Sequence, residues 1–199
     1  MKKLKYYVVE KKLLDLGLDV FGALDLIQLF GASRRSAEAF LSYNTRRGLL
    51  TRLRKGLYVF SRSLPHDFFL ANKIYSPSYI SLDTALSFYG LIPETIYPIL
   101  SVTTRKTNVF LVNGKEFVYH KIKKEAFTGY KTHLIDNKMV YLAVKEKAVA
   151  DLVYLVFLKR KFWYERLDLE NVDRRKVEKY LSLFGKKTLI RFWRKLKVK

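Results

Sequence analysis

The run SRRSAEAFLSYNTRRGLLTRLRKGLYVF, residues 33–60, leaves few folds open to the chain around it. Ala37, Phe40 and Leu41 recur at helical spacing, with position 44 completing the expected buried stripe, whereas Leu53 alternates with Arg52 and Arg54 as in a strand with one buried face. Ser33 suits the helix N-cap, because its hydroxyl can accept from an otherwise unpaired amide. Gly48 stops the helix, and Lys55-Gly56 turns LLTRLR (49–54) back onto LYVF (57–60). Upstream, residues 3–16 read as an amphipathic helix ending near Gly17, DVF (19–21) as a short strand, and ALDLIQLF (23–30) as a second helix closed by Gly31. Three helices and then a hairpin is the order of a winged helix-turn-helix, whose third helix enters the major groove while the hairpin touches flanking backbone.

The same 28 residues hold seven Lys/Arg and a single acid, Glu38. Arg34 and Arg35 fall in the first turn of the third helix, where the helix dipole disfavours cations, so the pair suggests an external anion. Arg46 and Arg47 lie at the opposite end, where the dipole favours them, and are the weaker indication. Arg52, Arg54 and Lys55 lie in or beside the hairpin. Ser36 and Ser42, with Thr45, are phosphate donors or simply exposed; Tyr43 is placed to stack on sugar or to pack inward; Asn44 reads adenine if exposed, and otherwise, the favoured reading, is a satisfied, half-buried amide. The alternative is a solvated basic face on a protein-docking module.

From Tyr79 the pattern changes. A helix is expected from Ser81 or Leu82 to Gly90, strands at 97–104, 108–112 and 116–122, a hairpin over 132–144 turning at Asp136-Asn137, and an apolar helix at 145–158. Residues 159–199, with fifteen Lys/Arg against five Asp/Glu, read as helical and basic. The expected fold is therefore α+β: a winged helix over 1–62, a junction over 63–78 with a short helix near 67–74, and a mixed α+β domain over 79–199 ending in a basic helical segment.

No catalytic constellation stands out. His66, His120 and His133 fall in unrelated segments without metal-ligand spacing, and no nucleophile elbow or phosphate-binding loop is present. A nuclease needs clustered carboxylates around a metal; Asp83, Glu116, Glu146 and Asp151 are the candidates, and Glu146 and Asp151 diverge on their helix. Asp151 is expected to pair with Lys147 one turn back or with a base from elsewhere in the domain. We expect no catalytic residue, no metal and no cofactor. The net charge of +21 instead implies a polyanionic partner. Cysteine is absent, and the longest apolar stretch, 148–158, is interrupted by Asp151 and falls far short of the roughly 20 residues of a membrane span. The basic opening lacks a cleavage signal. A cytoplasmic protein with no membrane partner is the expectation.

Residues 48–158 carry a resemblance. GLLTRLRKGLYVF, ANKIYSPSYISLDTALSFYGLIPETIY, SVTTRKT and KEKAVADLVYL together resemble the AbiEi-type antitoxins of type IV toxin–antitoxin systems. One departure is that Val144-Lys145 precedes Glu146 where the family usually has Thr-Pro. The resemblance implies an N-terminal winged helix that binds inverted repeats in its own promoter as double-stranded operator DNA and represses the operon. It also implies a C-terminal domain that counteracts a nucleotidyltransferase toxin, without requiring a stable complex. The matching DNA-side positions are Arg34, Arg35, Arg46, Arg47, Arg52, Arg54 and Lys55; Thr103, Thr104, Arg105 and Lys106 are the expected antitoxin surface. Two other readings stay open: a nucleic-acid-processing enzyme targeted by the winged helix, and an RNA-binding module built on the basic C-terminal segment, with tRNA as ligand.

Overall fold

A computed structural model describes residues 4–196 as an α+β protein. The chain divides into two compact units: the first runs to His66 and takes in Phe110–Gly114, and the second comprises Asp67–Val109 and Lys115 onward.

The first unit contains α1 (Tyr6–Asp15), β1 (Val20–Phe21), α2 (Ala23–Phe30), α3 (Arg34–Arg46), β2 (Leu50–Arg54) and β3 (Leu57–Phe60). Its three strands are ordered β1-β3-β2, all pairings antiparallel. The helices present Val9, Leu13, Leu26, Ala37, Phe40 and Leu41 to Phe21, Leu50 and Phe60, forming one core. Gly31 ends α2 in the left-handed conformation, and the Ser33 hydroxyl accepts from the Ser36 amide at 3.2 Å to start α3. Gly22 has a different task. It donates its amide to the Asp25 carboxylate at 2.7 Å, and a Cβ placed there would lie 2.5 Å from the Gly56 carbonyl oxygen in the hairpin turn. Gly22→Ala is therefore expected to cost about 1–3 kcal/mol, because the hairpin turn must move away; a thermal melt unchanged from wild type would refute this.

The second unit is built on a six-stranded mixed sheet ordered β6-β7-β5-β4-β9-β8. The strands of this sheet are β4 (Ser78–Ile80), β5 (Ile99–Thr103), β6 (Asn108–Val112, whose last three residues are counted with the first unit), β7 (Lys115–Lys121), β8 (Tyr130–Ile135) and β9 (Lys138–Ala143). β4 pairs antiparallel with β5 and parallel with β9, and β5 pairs parallel with β7. Helix α4 (Asp67–Ile74) lies on the face carrying Ile80, Ser101 and Tyr119, where the Tyr119 hydroxyl donates to the Ala71 carbonyl at 2.6 Å. The opposite face carries Tyr79 and is covered by α5 (Leu82–Phe88) and α6 (Lys145–Phe157). Helices α7 (Arg174–Ser182) and α8 (Lys187–Lys195) pack on α6 and on each other. The segment between α6 and α7 was expected to be helical and is irregular. It is tied down instead by contacts such as the Asp168 amide donating to the Leu91 carbonyl at 2.9 Å. The stretch expected as a junction contains α4 and the first residue of β4, both part of the second unit.

Inside this unit, Lys147 and Asp151 are fully buried and paired one helical turn apart on α6. The other Asp151 oxygen accepts from Tyr79 Oη at 3.0 Å and Ser81 Oγ at 2.8 Å. Burial pushes the Asp151 carboxyl above its usual range, against the pull of Lys147, Ser81 and Tyr79. The network ties α6 to the central strand of the sheet.

His120 on β7 is half-buried on that same sheet face, and burial holds its imidazole below the ordinary value of about 6.5, assisted by Lys161 and Arg160 and opposed by Asp83. The folded state thus takes up the proton less readily than the unfolded chain. The stability this supplies is present above about 6.5 and is lost as the pH falls through the depressed value. His120→Gln is expected to flatten the acid side of the stability–pH curve; an identical slope in both proteins would contradict the assignment.

Candidate nucleic-acid interface

Helix α3 buries Ala37, Phe40, Leu41 and Asn44 along one side. At about 100° per residue, the direction opposite that stripe is occupied by Arg35, Ala39, Ser42 and Arg46, all exposed. Two arginines therefore bracket two small side chains on the face pointing straight away from the core. Small residues there let the helix backbone approach a ligand closely, while the arginines reach out at either end. No acidic residue lies in the first turn of α3.

Arg34 on the flank of α3 and Arg47 at its C-cap are held by neighbours. Arg34 Nε donates to Glu38 Oε1 at 2.9 Å, one turn on. The Arg47 guanidinium sits 5.5 Å from the centre of the Tyr43 ring and donates to its hydroxyl at 3.3 Å. Ser36 is half-buried and its amide is taken by the cap, whereas Ser42 is exposed. Asn44 is buried and donates to the Phe40 carbonyl at 2.8 Å, so this amide serves the helix and faces no ligand. Thr45 donates its hydroxyl to the Leu41 carbonyl at 2.8 Å.

In the hairpin, Leu53 is buried while Arg52, Arg54 and Lys55 are exposed. The register slips between Arg52 and Arg54, which pair across from Tyr58 and Leu57. Arg54 donates to the Lys55 carbonyl at 3.2 Å, which steers its guanidinium toward the turn. The first unit therefore presents a basic helix face and a basic hairpin.

The set at the end of β5 requires a correction. Thr103 is fully buried, donates its hydroxyl to the Pro77 carbonyl at 2.7 Å and accepts from the Arg105 amide at 3.1 Å, so it cannot form part of a docking surface. All five residues of β5 are buried because it is an interior strand. Thr104 is half-buried, and Lys106 is exposed. Arg105 is exposed but anchored: its guanidinium lies 4.3 Å from the centre of the Tyr75 ring and donates to the Ser76 carbonyl at 3.2 Å.

The four carboxylates considered for metal binding are not brought together. Asp83 pairs with Lys161, Asp151 with Lys147, Glu146 faces Lys176 at 4.0 Å, and Glu116 is exposed. Among the described residues, no group of three His, Cys, Asp or Glu could hold a metal ion. No helix among them is long and apolar enough to cross a membrane.

Compared with known proteins, the chain matches no family model and no curated protein. The functional reading therefore rests on residues and geometry. A further basic surface was counted in the sequence as a charge excess but not located: the exposed sides of α7 and α8, where Arg175, Lys179, Lys187, Arg191 and Lys195 project. The signal that could have found it was the spacing of Val177 with Leu181 and of Leu189 with Trp193, which sets the inward side of each helix.

Proposed function

We propose that this chain is a sequence-selective DNA-binding regulator of the AbiEi antitoxin type, with a winged helix-turn-helix in its first unit and a toxin-counteracting role in its second. The observation that carries the DNA-binding reading is the outward face of α3, where Arg35 and Arg46 flank Ala39 and Ser42 and no core residue intrudes. A helix in the major groove needs such a face: long donors for base edges and phosphates, and small residues where the groove floor comes near. The exposed Arg52, Arg54 and Lys55 suit the hairpin to flanking phosphates. The antitoxin half of the reading rests on the resemblance of residues 48–158 to that family; of its four expected surface residues, Lys106 and Arg105 are the exposed ones. The reading implies a cytoplasmic protein that acts on its own operator, with two copies on an inverted repeat.

The test is a salt-titrated binding assay of the full chain on the DNA upstream of its own gene against a shuffled sequence of equal length. Selection of the upstream DNA supports the regulator. Equal, steeply salt-dependent binding to both would overturn it.

A further inference from the structure

From the placement of charge on α7 and α8, we infer a second phosphate-binding surface on this protein, which grips the backbone of duplex DNA without reading its sequence. Between Arg174 and Lys195 there are nine Lys/Arg and one acid, Glu178. Some of these cations have structural work. Arg194 forms a two-bond ion pair with Glu178, at 2.9 and 2.7 Å, that pins α8 to α7. Arg174 lies 4.8 Å from the Trp193 ring centre, and Lys176 is 4.0 Å from both Glu146 and Asp173. Arg175, Lys179, Lys187, Arg191 and Lys195 differ: each is exposed, and none has an ion pair among the described residues.

Their positions are the solvent sides of two amphipathic helices, and what sets these sides apart is that the projecting charges are all of one sign. In α7, Val177 and Leu181 face inward, and Arg175 and Lys179 project from the other side. In α8, Leu189 and Trp193 face inward, and Lys187, Arg191 and Lys195 project. Helix α8 has no acid in its first turn although Lys187 lies there, whereas α7 is capped by Asp173, whose carboxylate accepts from the Arg175 and Lys176 amides. Placing cations against the positive end of a helix dipole, beside other cations, costs energy that a polyanion would recover.

The class of polyanion follows from what accompanies the charges. Proteins that take single strands set aromatic rings at the surface for bases to stack on. Here the aromatics of this layer point inward: Trp193 and Phe184 are buried and Tyr180 and Phe192 partly so, which leaves a face of point charges with Ser182 and Thr188 among them. Such a face fits evenly spaced phosphates and, with no fully exposed ring on α7 or α8, offers no platform on which bases would stack. Duplex DNA is the occupant, given the proposed role of the first unit, on which this choice of DNA over duplex RNA rests.

The test uses the full chain carrying Arg175→Ala, Lys179→Ala, Lys187→Ala and Arg191→Ala, on shuffled duplex DNA across a salt series. The slope of log K against log salt is expected to fall by about 0.9 for each phosphate that is no longer neutralised, hence by about 3 to 4 in total. The ratio of affinities for upstream and shuffled DNA should stay unchanged, since this surface reads no bases. A control exchanging Lys and Arg at the same positions should keep the wild-type slope, and its melting curve with that of the Ala variant reports on folding. An unchanged slope in a folded Ala variant overturns the proposal. A slope that falls on duplex RNA or tRNA but not on DNA overturns the assignment of DNA. Failure of the regulator reading looks different: the wild-type protein itself then shows no preference for upstream DNA, whatever α7 and α8 do.

Discussion

Lys147→Met is expected to destabilise the second unit by about 3–5 kcal/mol, because it leaves the Asp151 carboxyl in a fully buried site without its cation. Asp151→Leu should cost a similar amount by stranding the ammonium. The informative variant is the pair. Removing both charges deletes the desolvation penalty along with the attraction, and buried ion pairs replaced by apolar groups of similar size are often near neutral. Here the double variant should recover only part of the loss, since the Tyr79 and Ser81 hydroxyls would be left without their shared acceptor. Each unsatisfied buried hydroxyl costs about 1–3 kcal/mol. Adding Tyr79→Phe and Ser81→Ala should then restore stability toward that of the wild type. Urea denaturation of the four variants beside the wild type reads this directly. If Lys147→Met alone leaves the midpoint where it was, the network does not hold α6 to the sheet.

The second large effect belongs to α3. Arg35→Ala with Arg46→Ala should remove the preference for upstream DNA, at about 1–3 kcal/mol for each arginine that reads a base edge, and should lower the salt slope by up to about 1.8 if both touch phosphate instead. Arg34→Ala is expected to do less, because its guanidinium is already committed to Glu38 on the flank of the helix. The contrast between these variants separates a recognition face from a diffuse basic field, in which the three arginines of α3 and Arg47 at its C-cap would count alike. Fluorescence anisotropy on both DNAs, with circular dichroism to confirm folding, distinguishes the two.

Much of this is legible in the sequence. Ser33, Gly48 and the Lys55-Gly56 turn are local chemistry, and α3 and the hairpin follow from them. The Lys147–Asp151 pair is visible because four residues make one helical turn. Two features were not legible, for a common reason. β4 is three residues long and buried on both faces, and its polar Ser78 gives no alternation to detect. Thr103 resembles an exposed hydroxyl at a strand end, yet β5 is interior, so its hydroxyl meets the Pro77 carbonyl instead of a partner. In both cases burial is decided by which strands come to lie on either side, and those neighbours are far away in sequence. The α7–α8 surface escaped for a simpler reason: the charge excess was summed over the segment instead of being divided between the faces of two helices.

That interior position of β4 also bears on how the chain folds. The three-stranded sheet β1-β3-β2 closes through pairings within about forty residues of one another, Val20 with Val59 being the most distant. In the second unit, Ile80 must find Leu142, with the whole of β5 to β8 between them, and only then does the sheet become continuous. Loop-closure entropy makes such long-range parallel pairing slow relative to local contacts. On a ribosome the order is the same, since residues up to His66 emerge before any partner of β4 on the far side of the sheet has been made. A nascent chain can thus hold the helices and three-stranded sheet of residues up to His66 while the six-stranded sheet is still searching for its register, and its open strands are most exposed to mispairing during that interval.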